Sequence, residues 1–174
     1  MAKTKLLSDP VKTSDYLSKI TDNSQYMMEA MDDIVWSIKP DNDNMQKIIA
    51  RMREYASTIL EPKDITIRFE IEDNIYGLKL NMETRRDVFL IFKEAINNSA
   101  KYSDCSQIKV LIRLYGNQLI IKIIDNGTGF DVKNADRGNG LGNMKKRAET
   151  LNGKIKIESS SEKGTEILLV VPLS

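Results

Sequence analysis

Four polar residues, Glu94, Asn97, Asn98 and Lys101, recur at intervals of three and four in a segment that is otherwise apolar. This spacing predicts that they share one face of a helix, with Glu94 and Asn98 one turn apart. An asparagine carbonyl is a hard oxygen ligand that suits Mg²⁺, and a lysine can neutralise a phosphate. The same residues would also suit a solvated helix face, and their spacing alone leaves both interpretations open.

Two glycine clusters flank a polar stretch further along the chain. Residues 125–129 (DNGTG) follow an apolar strand, and residues 138–142 (GNGLG) precede a predicted helix. Glycine allows a close backbone approach to a ligand, and the first turn of a helix offers free N–H groups that attract phosphate. Neither cluster matches a Walker-type loop or a dinucleotide fingerprint. Because the two clusters bracket residues with few apolar anchors, they predict a lid over a ligand.

The first long element that the sequence predicts is a helix over residues 13–39, following a flexible lead over residues 1–12. Its apolar seam alternates between spacings of three and four, which is typical of an a/d pattern. Such a narrow seam favours packing against another helix, although a helix folded onto its own domain remains open. The seam consists of Leu17, Ile20, Ser24, Met27, Met31, Ile34 and Ile38.

The remaining elements follow from changes of hydrophobic period. Apolar residues at every odd position of 65–71 predict a half-buried strand. Helical periods predict helices over 45–60, 83–101 and 141–151, and apolar runs predict strands over 108–114, 119–124, 154–158 and 166–171. The sum is an α+β fold, a two-layer sandwich with a mixed, mostly antiparallel sheet and helices on one face.

Composition excludes several classes of function. The 174 residues include no histidine and one cysteine, so a Ser-His-Asp triad, a His-bearing zinc site and an internal disulfide are all excluded. The 26 basic and 25 acidic side chains give no broad basic surface, and we expect no nucleic-acid partner. No apolar run has the length of a membrane span. Cys105 is expected to be a small buried residue, and Arg85 and Arg86 are expected to be solvated.

Four motifs in order resemble the N, G1, G2 and terminal Gly-Thr boxes of the GHKL ATP-binding superfamily. They run from Glu94 to Tyr102 (EAINNSAKY), from Asp125 to Gly129, from Gly138 to Met144 (GNGLGNM) and through Gly164-Thr165. Residues 143–148 and 153–159 look most like the sensor histidine kinases that pair with nitrate-response-type regulators. The helix over 13–39, with the stretch WSIKP at 36–40, is similar to the second helix of that subfamily's dimerisation hairpin. The resemblance implies three segments: 1–12, 13–40 and an ATP-binding domain over 45–174.

The resemblance also implies a role for each matching residue. Asp125 would accept a hydrogen bond from the adenine amino group, Asn98 would ligate Mg²⁺, and Glu94 is the general base in the ATPase branches of the superfamily. Lys101 would lie near the phosphates, whereas Tyr102 stands where many members carry histidine. The remaining residues would shape the pocket for ATP: Gly127, Gly129, Gly138, Gly140, Leu141, Gly142 and Thr165.

A sensor kinase transfers the ATP γ-phosphoryl group to a histidine, and this chain contains none. We therefore expect a fragment that begins downstream of the phosphoacceptor helix, binds ATP and Mg²⁺, and cannot phosphorylate itself. Its expected partners are the phosphoacceptor helix of the same kinase, a response regulator and, in the full-length protein, a second copy through helix 13–39. We expect a cytoplasmic fragment, from a protein that could be anchored in the membrane. Two alternatives remain: an anti-sigma-type serine kinase and a non-catalytic, ATP-gated interaction domain.

Overall fold

The computed structural model describes residues 10–132, 139–161 and 163–173. The chain divides into two units, Met1–Lys39 and Pro40–Ser174. In the first unit, helix α1 spans Pro10–Ile38 and so begins three residues earlier than the sequence pattern predicts. The six apolar residues of its predicted seam are each between 54% and 64% exposed. No helix among the described residues is long and apolar enough to cross a membrane.

The second unit begins with two helices separated by an edge strand. Helix α2 spans Met45–Leu60, as predicted, and the Asn44 side chain caps it by accepting a hydrogen bond from the Lys47 N–H at 2.9 Å. Strand β1 (Thr66–Ile71) follows a turn that contains Pro62. Helix α3 spans Met82–Tyr102 and is capped by the Asn81 side chain. Its apolar face is buried, and α3 packs on α2.

The rest of the second unit forms the sheet and one more helix. Strands β2 (Gln107–Tyr115) and β3 (Gln118–Asp125) make a hairpin, helix α4 spans Asn139–Thr150, and strands β4 (Lys154–Ser159) and β5 (Thr165–Pro172) close the chain. The strand order is β1-β2-β3-β5-β4. The β1–β2 pair is parallel and the other three pairs are antiparallel, which confirms the predicted mostly antiparallel sheet.

Burial alternates along the three central strands, so one face of the sheet carries the core. Ile108, Val110 and Ile112 of β2 are fully buried, while their neighbours in sequence are half-buried or exposed. In register with them are Ile121 and Ile123 of β3. The two-layer arrangement predicted from the changes of period is therefore confirmed.

Three polar predictions near the core have mixed outcomes. Cys105 is buried two residues before β2, as expected. The prediction that Arg85 and Arg86 are solvated is wrong for Arg85, which is only 3% exposed. Arg86 lies at the surface but pairs with the buried Asp87 carboxylate, Nε to Oδ1 being 3.1 Å. Both arginines lie on the first turns of α3, where the helical period places one face inward whatever its charge.

Candidate functional site

Asp125, the last residue of the central strand β3, is a buried carboxylate with ordered partners. Its Oδ1 accepts the N–H groups of Gly127 (3.0 Å) and Thr165 (3.2 Å), and its Oδ2 accepts the Ser99 hydroxyl at 2.9 Å. A carboxylate offers about four acceptor positions. Among the described residues, these three bonds leave one acceptor position on Oδ2. The side chain is therefore held rigidly and can still accept one hydrogen bond.

The loop after Asp125 is held against the carboxyl end of α3. The Ser103 carbonyl accepts the Thr128 N–H at 2.7 Å, and a Cβ on Gly127 would overlap the same carbonyl. Gly129 has φ +67°, and a Cβ there would overlap the Ser160 backbone. Both glycines are thus required where backbone meets backbone, which fixes the path of the chain next to Asp125.

Ser159, at the end of β4, joins this loop to the Gly164-Thr165 pair. Its hydroxyl donates to the Gly164 carbonyl at 3.0 Å and accepts the Phe130 N–H at 2.9 Å. The Thr165 hydroxyl lies 3.1 Å from the same oxygen. Because the single Ser159 proton is already donated, Thr165 must donate in this contact. The Thr165 oxygen is then left as an acceptor, as is Asp125 Oδ2.

The predicted face of α3 separates into residues with different environments. Glu94 and Asn98 are half-buried one turn apart, whereas Lys101 is exposed and Tyr102 is 74% exposed. Asn97 faces α2 instead, where its Oδ1 accepts the Tyr55 hydroxyl at 2.8 Å. The structure therefore assigns Asn97 to the packing of two helices and leaves Asn98 facing away from that contact.

The first turn of α4 lies next to Glu94. A Cβ on Gly140 would overlap Oε1 of Glu94, whereas a Cβ on Gly142 would meet nothing within 4 Å. Leu141 between them is half-buried. The structure thus brings the N-box helix and the second glycine cluster together. Gly138 and residues 133–137 between the two clusters lie outside the described residues.

The residues present can be compared with what a magnesium ion requires. The described residues hold no group of three His, Cys, Asp or Glu side chains close enough to share a metal ion. Magnesium at a nucleotide site usually takes only one or two protein oxygens, because phosphates and water supply the other ligands. The half-buried Asn98 amide next to Glu94 fits that requirement.

Sequence reasoning did not single out two residues that the site uses. Ser99 donates to Asp125, and Ser159 joins the loop to the terminal Gly-Thr pair. Their partners lie 26 and 5 residues away, and no local pattern distinguishes these serines from solvated ones. The only available signal was the position of Ser99, one residue after Asn98 on the inner side of α3.

Residues 83–174, more than half of the chain, match the family described as histidine kinase-, DNA gyrase B- and HSP90-like ATPase. The chain therefore belongs to this family of ATPase domains. The match covers all the residues described above from Glu94 to Thr165. It also places the boundary of the matching domain within the first turn of α3.

Several solved histidine kinases have a similar fold. The chain superposes on Acinetobacter baumannii histidine kinase AdeS with a TM-score of 0.69 and 14% identity, covering 95% of this chain and 86% of that one. On the histidine kinase domain of the Erythrobacter litoralis EL346 blue-light activated histidine kinase it superposes with a TM-score of 0.59 and 20% identity, covering 72% of this chain and 61% of that one. On full-length ShkA in complex with AMPPNP the TM-score is 0.69 and the identity 12%, covering 94% of this chain and 39% of that one. This chain thus spans less than two thirds of two of these three proteins, and at these identities the likeness establishes a shared fold.

Proposed function

We propose that this chain is the ATP-binding catalytic part of a sensor histidine kinase, which delivers the γ-phosphoryl group of ATP to a histidine on a separate helix. The observation that carries the proposal is the buried Asp125 carboxylate, fixed by three hydrogen bonds with one acceptor position left. Together with the Thr165 oxygen, it offers acceptors where the adenine amino group is a donor. The complex of the structurally similar ShkA with AMPPNP supports a nucleotide of this type.

Different residues of the chain would bind the base and the phosphates of the nucleotide. Asp125 and Thr165 select the base, and the loop at Gly127 and Gly129 shapes the wall beside it. The first turn of α4, including Gly140, Leu141 and Gly142, presents N–H groups and the positive end of the helix dipole to the phosphates. Lys101 adds a positive charge at the exposed end of α3.

Asn98 would hold Mg²⁺ through its carbonyl oxygen, and the ion would neutralise charge on the phosphates. Phosphoryl transfer mainly requires positioning and electrostatic stabilisation, so the protein needs few chemical groups of its own. Glu94 is the candidate general base, because it is half-buried, one turn from Asn98 on α3, and its carboxylate lies against Gly140 in the first turn of α4. Tyr102 is too exposed to orient a buried group, and we propose that it contacts the nucleotide at the rim of the site.

The partners follow from what the chain lacks. With no histidine among its 174 residues, phosphoryl transfer needs a phosphoacceptor helix supplied by the rest of the kinase. We propose a response regulator as the next acceptor, of the nitrate-response type because of residues 143–148. The exposed seam of α1 supports a homodimer of the full-length protein through residues 13–39. A domain that consumes ATP would work in the cytoplasm, and the full-length protein could be anchored in the membrane.

Two measurements test the proposal. Isothermal calorimetry with Mg-ATP and with a non-hydrolysable analogue should show binding to the chain. A peptide or domain carrying an acceptor histidine, added with γ-labelled ATP, should become labelled. Binding without labelling of any acceptor helix would favour a non-catalytic, ATP-gated domain, and labelling of a serine-bearing protein would favour an anti-sigma-type kinase. If neither nucleotide binds, the ATP-site proposal is wrong.

A further inference from the structure

Two contacts between α3 and α4 lie seven residues apart on each helix. At one end, Arg147 of α4 meets Asp87 of α3, with Nη1 and Oδ1 2.8 Å apart. At the other end, Gly140 of α4 meets Glu94 of α3 so closely that a Cβ on the glycine would overlap the carboxylate. Seven residues are about two helical turns, or about 10.5 Å, so each pair of contacts lies on one face of its helix. The two helices are therefore antiparallel in a defined register.

The Asp87–Arg147 end of this register is a buried charge pair. The Asp87 side chain is only 2% exposed, while the Arg147 side chain is 36% exposed. A carboxylate that is buried this deeply needs its cationic partners, because an unpaired buried charge is strongly destabilising. Arg86 also pairs with Asp87, but it comes from the same helix. Arg147 is therefore the partner that ties α4 to this point on α3.

At the Glu94–Gly140 end of the register, a side chain at position 140 would displace the Glu94 carboxylate from its present place. Because Gly140 has no side chain, the first turn of α4 comes into contact with the Glu94 carboxylate. If α4 slid by one residue, its first turn would move by about 1.5 Å and rotate by about 100°. Either movement would change how the N–H groups of that turn are placed relative to Glu94.

We propose that Asp87 and Arg147 are positioning residues, which set the register of α4 on α3 and so aim the first turn of α4 at the phosphates of the bound nucleotide. This inference rests on the proposed function. The attraction between a helix amino end and an anion falls off within one turn, so it depends on that register. Asp125 is held by the sheet and by Ser99, and its position does not depend on α4. Loss of the pair should therefore weaken binding of the phosphates and leave binding of the base intact.

The test compares Arg147→Gln with Arg86→Gln. Both changes remove one guanidinium from Asp87, but only the first removes the link between the helices. The dissociation constant for Mg-ATP should rise about tenfold in Arg147→Gln, and the constant for AMP should change by less than about twofold. The control variant should leave both constants unchanged, and Arg147→Lys should restore part of the ATP affinity because it keeps the charge. Asp87→Asn combined with Arg147→Gln should cost little more than Arg147→Gln alone.

A second measurement does not depend on nucleotide. Amide hydrogen exchange at residues 140–143 should quicken in Arg147→Gln and stay unchanged in Arg86→Gln. Equal loss of ATP and AMP affinity, or unchanged exchange at 140–143, would overturn the positioning role. If the unmodified chain bound neither nucleotide while exchange at 140–143 responded as expected, the proposed function would fail and the register would stand.

Discussion

Replacing Asp125 with asparagine should convert the acceptor that we propose selects the base into a donor, without changing the shape of the side chain. Oδ1 accepts two backbone N–H groups, from Gly127 and Thr165, so the amide oxygen should stay there. The NH₂ group then takes the place of Oδ2, where the Ser99 hydroxyl now donates. The one position left for a ligand changes from accepting to donating, and in the proposed complex it would meet the adenine amino group, which is also a donor.

The size of the effect follows from the bond that is lost. A hydrogen bond to a charged group contributes about 1.5–3 kcal/mol, which corresponds to about a 10- to 150-fold weaker affinity for ATP. Inosine triphosphate carries a carbonyl where adenine carries the amino group. That carbonyl suits the new NH₂ donor, so Asp125→Asn should bind inosine triphosphate at least as well as the unmodified chain does. The preference for ATP should narrow or invert.

The assay is calorimetric titration of Mg-ATP and Mg-ITP into three proteins: unmodified, Asp125→Asn and Asp104→Asn. Asp104 is an exposed control in the same region, and its φ of 50° is one that asparagine adopts readily. A thermal melt of each protein separates lost binding from lost fold. If Asp125→Asn bound ATP within about twofold of the unmodified chain, with the same ATP-to-ITP ratio, the assignment of Asp125 to the base would be refuted.

Three further predictions concern the glycines, the cysteine and the helical seam. Gly164→Ala should lower the free energy of unfolding by about 2 kcal/mol or more, because φ is +71° and the added Cβ would overlap a backbone carbonyl. Gly142 lies in open space on α4, so Gly142→Ala should raise the free energy of unfolding by about 0.5–1 kcal/mol. Urea denaturation measures both changes. Burial raises the pKa of the Cys105 thiol above its ordinary 9.0. The unfolded thiol therefore ionises first as pH rises, stability should fall through this range, and Cys105→Ala should remove that part of the slope in urea titrations. The double substitution Ile20→Lys with Ile34→Lys should leave ATP affinity unchanged and abolish any dimer that light scattering detects in the unmodified chain. A dimer that persists in this variant would contradict the proposal that the seam of α1 forms the dimer interface.

The elements could be predicted from the sequence because their signals are local. Alternating apolar residues define β1, and helical periods of apolar residues define α2 and α3. The boundaries agree within a few residues, since each depends on residues adjacent in the chain. Asp125 could also be singled out as a candidate, because its motif is contiguous. The sequence did not reveal which acceptor positions of Asp125 are occupied, because one of its hydrogen bonds comes from Ser99, 26 residues away.

Contacts between distant elements were the part that the sequence did not reveal. Asp87 and Arg147 are 60 residues apart, and each reads as an ordinary charged residue on an amphipathic helix. Arg85 was expected in solvent because arginine usually is, yet the helical period places it inward. Such contacts depend on how two helices pack, and no pattern within either helix encodes that arrangement.

The parallel pairing of β1 with β2 has a consequence for the way the site is assembled during folding. A parallel pair cannot be joined by a hairpin, so the chain between Ile71 and Gln107 must cross over, and α3 is that crossover. Glu94 and Asn98 therefore reach their places only when a loop of high contact order closes. Such closures are slow compared with the formation of helices and hairpins. We therefore expect the β2–β3 hairpin, which ends at Asp125, to form before Glu94 and Asn98 reach their places.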